Sequence, residues 1–387
     1  MRIRQIVPSL ERQHGGPSRS VQALAKAQAK LGEQVELLAT EPDAPRLGRE
    51  SSDGPLNIRI LRRGRPDRIC HSSALRRALL VGDCEVVHHH ALWLRTLHYA
   101  HCAARAHRVP LIVSPRGMMA PWAWNHHRWR KAAAALLLHP RALRAVRGWH
   151  ATSDQEAKDI AALGFSQPVC VAPNGVDAPR EEELEAARRY WVARLPKTAA
   201  SRIALFYSRF HRKTRLIELL DLWAATPTPD WHLLVVGIPG EYSVADIAGE
   251  IVKRGISGRA SVHDGADAPP PYAAASLFLL PSHDENFGLV IAEAMAAGIP
   301  VVVTDTTPWR EIQTRAVGWC VPWTDFGAAL NQAVGMPAER LRARGEAARV
   351  WVLDNFSWSK SAALLLDFYR GLRAEENSLR RLPRTPA

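Results

Sequence analysis

Two carboxylates eight positions apart, Glu285 and Glu293, frame the densest group of chemically able side chains in this 387-residue chain. Residues 281 to 301 read PSHDENFGLVIAEAMAAGIPV: a strand end, a polar loop holding Glu285 and Asn286, then a helix entered near Gly288. Glu293 lies about two turns into that helix, so the two carboxylates can reach different ends of one ligand. Amides of Phe287, Gly288 and Leu289 at the helix start offer an anion site, strengthened by the helix dipole. Carboxylate, anion nest and second carboxylate in series match the parts of a nucleoside-diphosphate sugar. An acidic loop ahead of an amphipathic helix is also ordinary structure, and both readings stand at this point.

Positive charge is supplied by residues 206 to 215, FYSRFHRKTR. Ser208 opens a turn in which Arg209, Lys213 and Arg215 can gather at a strand end, where a diphosphate leaving group needs cations. A solvated basic turn is the alternative. Near the amino terminus, Gly15 and Gly16 follow the first expected strand, and adjacent glycines let a backbone approach a ligand closely. This is not the GxGxxG fingerprint, which disfavours a nicotinamide enzyme. Residues 114 to 124, SPRGMMAPWAW, bring Arg116, Gly117 and Trp122 to another strand end. Aromatic faces stack on sugars and cations hold phosphates, so these three are the acceptor candidates. Trp129 is expected to pack within an aromatic cluster. His88, His89 and His90 are adjacent in a strand and so alternate between its faces, which argues against a metal site. No metal and no cofactor is expected.

The elements that position these groups alternate strand and helix. Strands are expected at 2–7, 34–39, 85–88, 110–113, 149–152 and 169–172, with helices at 18–31, at 92–106 and after Ser153, whose Glu156 suggests a capping box. A Pro- and Gly-rich stretch with one charged surface helix then marks a boundary. A second series places strands at 203–207, 231–236, 261–263, 277–280 and 300–304, with helices at 214–224, 244–253 and 289–297. The pattern predicts an α/β protein of two doubly wound parallel-sheet units, with ligands bound beyond the strand ends in a common cleft. The expected division is 1–176, 177–355, a helix over 356–373 packing back on the first unit, and a mobile tail over 374–387.

The segment around Glu285 resembles the signature of family 4 retaining glycosyltransferases, E-x-F-G-x-x-x-x-E-A-M-A-x-G-x-P-V. Glu285, Phe287, Gly288, Glu293, Ala294, Met295, Gly298, Pro300 and Val301 all match. The resemblance implies the two-domain GT-B fold and transfer with retention, without metal and without an established protein nucleophile. It further implies that Glu285 contacts the donor sugar, that Glu293 accepts from ribose hydroxyls, and that Phe287 to Leu289 offer amides. The family usually has Gly-Arg, then Lys-Gly five and six residues after that Arg. Here Ser208 replaces the first Gly, Arg209 maps cleanly, Thr214 stands at the Lys and Arg215 at the second Gly. Lys213 or Arg215 therefore supplies the second cation. The loop at 114–124 and Thr307 to Glu311 resemble loops of bacterial envelope-polysaccharide members, implying a saccharide acceptor, lipid-linked, for lipopolysaccharide or exopolysaccharide.

Composition is consistent with this. The chain is 47% apolar and 23% charged, with five scattered cysteines and no segment of spanning length, so a cytoplasmic protein is expected. A net charge of +13 draws anions. Arg141, Arg144 and Arg147 recur at near-helical spacing and could rest on an anionic inner-membrane surface. A nucleic-acid-binding protein is the rival that charge alone suggests, but no nucleic-acid module is present. Another GT-B enzyme, an inverting transferase or an epimerase, is the nearer rival.

Overall fold

The computed structural model describes residues 1–11, 16–45, 48–125, 128–139, 141–195 and 202–381. The chain forms two units: Met1–Gly175 together with the chain from Trp358 onward, and Val176–Ser357.

In the first unit the strands are β1 (Arg2–Ile6), β2 (Gln34–Glu41), β3 (Arg49–Asp53), β4 (Leu56–Arg62), β5 (Val86–His90), β6 (Leu111–Ser114), β7 (Gly148–Ala151) and β8 (Val169–Val171). They form one sheet in the order β3-β4-β2-β1-β5-β6-β7-β8. Every pairing is parallel except β3 with β4. Alternation along the strands feeds two cores. Ile6, Leu38, Val87 and Val113 face one, and Ile3, Val35, Val86 and Ile112 the other. The second core is completed by Trp358, Ala362, Leu365, Leu366 and Tyr369 from the last helix, Trp358–Arg381, which lies along the helix Gly16–Lys30.

That last helix runs past residue 373, where the sequence suggested a mobile tail; residues 382–387 lie outside the described ones. No Pro or Gly interrupts 374–381, and extending an established helix adds one hydrogen bond per residue fixed. Ser378 Oγ donates to the Ala374 carbonyl at 3.0 Å.

The second unit carries β9 (Arg202–Tyr207), β10 (Trp231–Gly237), β11 (Ala260–Asp264), β12 (Leu277–Leu280), β13 (Val301–Thr304) and β14 (Trp319–Val321). All pairings are parallel, in the order β11-β10-β9-β12-β13-β14. β10, β12 and β13 are buried at every residue, as largely apolar strands covered on both faces should be, and the polar His232 and Thr304 within them are buried too. The order reverses between β9 and β12, the switch point beyond which such sheets bind ligands. Among the described residues no helix is long and apolar enough to cross a membrane.

Candidate functional site

The loops after β9 and β12 meet at that switch point, where His283 N donates to the Lys213 carbonyl at 2.8 Å. A 3-10 turn, Arg212–Thr214, is capped by His211, whose Nδ1 accepts from Lys213 N at 3.0 Å. Thr214, at the family's Lys position, is buried and donates its hydroxyl to the His211 carbonyl at 2.7 Å. The turn instead carries Lys213 toward the β12 loop, its Nζ 3.1 Å from Asp284 Oδ2. Arg212 is drawn away by Glu241 at 2.9 Å. Arg209 is exposed, and its guanidinium meets no carboxylate partner among the described residues.

Glu285 accepts from Ser282 Oγ at 3.0 Å. Desolvation pushes its carboxyl above the ordinary value, opposed by Lys213, the Ser282 hydrogen bond and Arg209, while Asp284 adds to the rise. Lys213 and, to a smaller extent, Arg209 thus favour the charged form of this carboxylate through space, while the direct ion pair of Lys213 is with the adjacent Asp284. Beyond it, Gly288 takes a left-handed backbone, φ 72°, and a Cβ there would come within 2.8 Å of Ile291 Cδ1. The helix Leu289–Ala296 starts at once; Ile291 N donates to the Gly288 carbonyl at 2.8 Å, which leaves the Leu289 and Val290 amides without carbonyl partners inside the helix. Phe287 is buried, its ring 5.0 Å from that of Trp309, whose Nε1 donates to the Phe287 carbonyl. The Phe287 side chain is therefore a packing element, and only its amide remains for a ligand. Glu293 is half-buried and accepts from Tyr272 OH at 2.7 Å, beside the Tyr207 ring at the end of β9. Ser208, Asn286 and Leu289 are half-buried around the same loops.

Arg215 points elsewhere. Its Nη2 lies 2.8 Å from His283 Nδ1, and its guanidinium sits 4.6 Å from the centre of the Trp323 ring. Its backbone is left-handed, φ 51°, the conformation that a Gly adopts without a Cβ penalty. Arg215→Gly is expected to leave the urea midpoint nearly unchanged, about 1 kcal/mol of relieved strain offsetting the lost stacking. Its kcat/KM should stay within about threefold of wild type, and a larger fall would return the second cation to Arg215.

In the first unit Arg116 and Gly117 follow β6 with positive φ, 55° and 79°. Arg116 turns inward: Nη1 donates to Asn174 Oδ1 at 2.8 Å and Nη2 meets His90 Nδ1 at 3.1 Å. Burial lowers its pKa to about 10, although Glu156 and Tyr369 oppose that. Gly117 N donates to Glu156 Oε1 at 2.6 Å, and Glu156 Oε2 accepts from Thr152 N and Oγ1. The Ser153 cap therefore forms through the Glu156 amide alone, and the carboxylate braces the Arg116 loop instead of closing a capping box. Trp122 is 52% exposed. Trp129, expected in a packed cluster, is 70% exposed, because its helix turns that face outward. Gly16 is exposed at the start of its helix, and Gly15 lies outside the described residues.

Strand alternation separates His89 from its neighbours but places His88 and His90 on one face, and β7 brings His150 to them. Candidate ligand nitrogens of these three rings lie within 4.8 Å of one another. Adjacent histidines do alternate between faces, but the i, i+2 pair His88 and His90 shares one, a spacing already present in the sequence. Each ring has a protein partner: Tyr369 OH for His88 at 2.6 Å, Gln5 Oε1 for His90 at 2.5 Å, and the Ala172 carbonyl for His150 at 2.9 Å. Burial holds all three pKa values well below the usual range, and the Arg116 guanidinium adjoining His90 opposes any added cation.

Comparison with known proteins bears on both units. Residues 14–180 match the model of glycosyltransferase family 4, and residues 188–351 that of glycosyl transferases group 1. The chain is 26% identical over 325 residues to a GDP-mannose:cellobiosyl-diphosphopolyprenol alpha-mannosyltransferase of Xanthomonas campestris, covering 81% of this chain and 80% of that one. It is 28% identical over 391 residues to a phosphatidyl-myo-inositol mannosyltransferase of Mycobacterium leprae, covering 95% and 96%. Among solved structures, sucrose-phosphate synthase of Thermosynechococcus elongatus superposes with a TM-score of 0.76 at 19% identity, over 97% of this chain and 100% of that one, a likeness of fold. With both halves matched and the GT-B fold in place, the chain belongs to the group 1 glycosyltransferases of family 4.

Proposed function

We propose that the enzyme moves a sugar from a nucleoside-diphosphate sugar to a lipid-linked saccharide acceptor, with retention at the anomeric carbon and without a metal, in envelope-polysaccharide synthesis. The observation that carries this reading is the meeting of the β9 and β12 loops at the switch point, which sets Lys213 against Asp284, next to Glu285, with Arg209 on the same loop as Lys213. The bond from the anomeric carbon to the diphosphate breaks, and Arg209, Lys213 and the amides at the start of Leu289–Ala296 take up the charge on the leaving group. The acceptor oxygen attacks from the same face, and its proton passes to the departing phosphate oxygen. Glu285 orients the sugar, and Glu293 accepts from the ribose hydroxyls. Arg116, Gly117 and Trp122 are assigned to the acceptor, and Gly15 and Gly16 to the donor. Both relatives above have a lipid component in their names, a diphosphopolyprenol and a phosphatidyl-myo-inositol, which supports the same acceptor class here.

A screen of UDP-, GDP- and ADP-sugars, with product anomers read by NMR, tests the reading. An α-linked donor should give an α-linked product at undiminished rate in EDTA. A β-linked product would replace retention by inversion, and loss of turnover in EDTA would overturn metal independence.

A further inference from the structure

The helix Arg128–Leu137 presents an unusual outer surface. Its exposed described residues are Trp129, Ala132, Ala133, Leu136 and Leu137, spaced i, i+3, i+4, i+7 and i+8, and they form an apolar stripe. Leu136 is 73% and Leu137 67% exposed. An amphipathic helix on a water-soluble domain ordinarily turns its polar face outward. Here the exposed described residues are all apolar, and the helix is tied down by its flanks. Arg95 Nη1 donates to the carbonyls of Leu137 and Leu138, both at 3.0 Å, tying down the helix end. Lys131 Nζ donates to the Ala123 carbonyl on the opposite flank. His139, just past the helix, is buried against Trp93, which also packs on Trp124. The anchoring contacts lie at the ends and on the inner side, leaving the stripe as the outermost surface.

Cations accompany it. Arg141, Arg144 and Arg147, in the segment directly after the helix, are all exposed, and the chain carries a net +13. Aliphatic and indole side chains along one helix face, followed by arginines, match the chemistry of an anionic bilayer surface, with acyl chains below and phosphate headgroups around. The neutral composition of the stripe and the single sign of the flank disfavour a second copy of this chain, whose own surface is equally basic.

We infer that Arg128–Leu137 is a membrane-insertion helix that lies in the plane of an anionic bilayer, its Trp129–Leu137 stripe sunk about 5–10 Å into the headgroup boundary. The arginines hold the headgroups, and the stripe holds the acyl region. Insertion rather than surface rest is what the outward leucines add. This assignment stands on the helix itself and does not depend on the transfer chemistry.

Flotation of the full chain with phosphatidylglycerol-containing vesicles, against pure phosphatidylcholine vesicles, tests it. Wild type should float with the anionic vesicles, less so at high salt, and its tryptophan emission should be quenched by brominated acyl chains. The double variant Leu136→Glu, Leu137→Glu should lose at least about tenfold in vesicle partitioning. Because both side chains already face solvent, its circular dichroism and its turnover of a water-soluble acceptor should match wild type. Arg141→Gln, Arg144→Gln, Arg147→Gln should abolish the preference for anionic lipid. Wild type that fails to float, or a double-Glu variant that floats equally well, overturns the inference. So does a wild-type dimer that the double-Glu variant converts to monomer without any vesicle binding, since the stripe would then be a subunit contact. Transfer to the soluble acceptor, read separately, reports on the proposed chemistry whichever way the flotation falls.

Discussion

Arg209→Ala lowers kcat by about 100-fold or more, with kcat/KM falling in parallel, because the charge it removes is needed most as the diphosphate departs. The loss is expected to be catalytic and not structural. The neighbouring backbone is pinned to β10 by Ser208 N to the Val236 carbonyl at 3.3 Å and Phe210 N to the Ile238 carbonyl at 3.0 Å. The Arg209 side chain is exposed, so unfolding midpoints should move by no more than about 0.5 kcal/mol. Lys213→Ala should be milder, since that amine also neutralises Asp284 and its removal leaves the carboxylate to water. The measurement is steady-state turnover with saturating donor, and wild-type turnover in the Arg209 variant would remove this residue from the leaving-group site.

Acid should weaken the first unit steeply between pH 7 and pH 5. His88, His89, His90 and His150 are buried in it, and desolvation keeps all four neutral, with His89 and His150 lowered to about 3. The folded pKa values lie below the unfolded value near 6.5, so below that pH the unfolded chain binds protons that the folded chain refuses. Stability is thus fully present above about pH 6.5 and is lost as pH falls toward the folded values, by up to about 1.4 kcal/mol per pH unit for each ring. Several kcal/mol should disappear by pH 5, read as a drop in the urea midpoint. His89 stands apart from the other three, bonded to the Ala91 carbonyl and Thr96 Oγ1, so His89→Gln should flatten the slope by about one ring's share. A midpoint that does not move over this range would mean that these rings take up protons in the folded protein.

The elements easiest to read from sequence were those whose local preference and burial agree. Val244–Lys253 begins at Ser243, whose capping box with Asp246 is complete, and β12 is an unbroken run of four buried apolar residues. The hairpin of β3 and β4 was not legible, since β3 reads RESSD, is exposed throughout, and owes its extended form to pairing with β4. Around the motif, spacing alone points to Glu285 and Glu293, but among the four cations of residues 209–215 it assigns only Arg209 and leaves the second cation between Lys213 and Arg215. The direction of each depends on the 3-10 turn that buries Thr214, a feature of backbone geometry with no compositional mark. Arg116 was legible as a polar group at a strand end, but not its inward turn, because His90 and Asn174 come from distant parts of the chain. His150 reaches His88 by sheet pairing across sixty residues of sequence, which no local pattern records.

The return of the chain to its first unit has a consequence for biogenesis. Gly175 lies so close to Trp358 that a Cβ would sit 2.2 Å from its backbone nitrogen, so the outgoing and returning strands of polypeptide cross side by side. Val176–Ser357 carries its whole core in one uninterrupted stretch and can close it as soon as that stretch leaves the ribosome. The earlier-made half must wait, with Ile3, Val35, Val86 and Ile112 lacking the cover of Leu365, Leu366 and Tyr369 until the helix that begins at Trp358 has been made. The half synthesised first is therefore the half completed last, and during that interval its uncovered sheet face is where a nascent-chain chaperone would act.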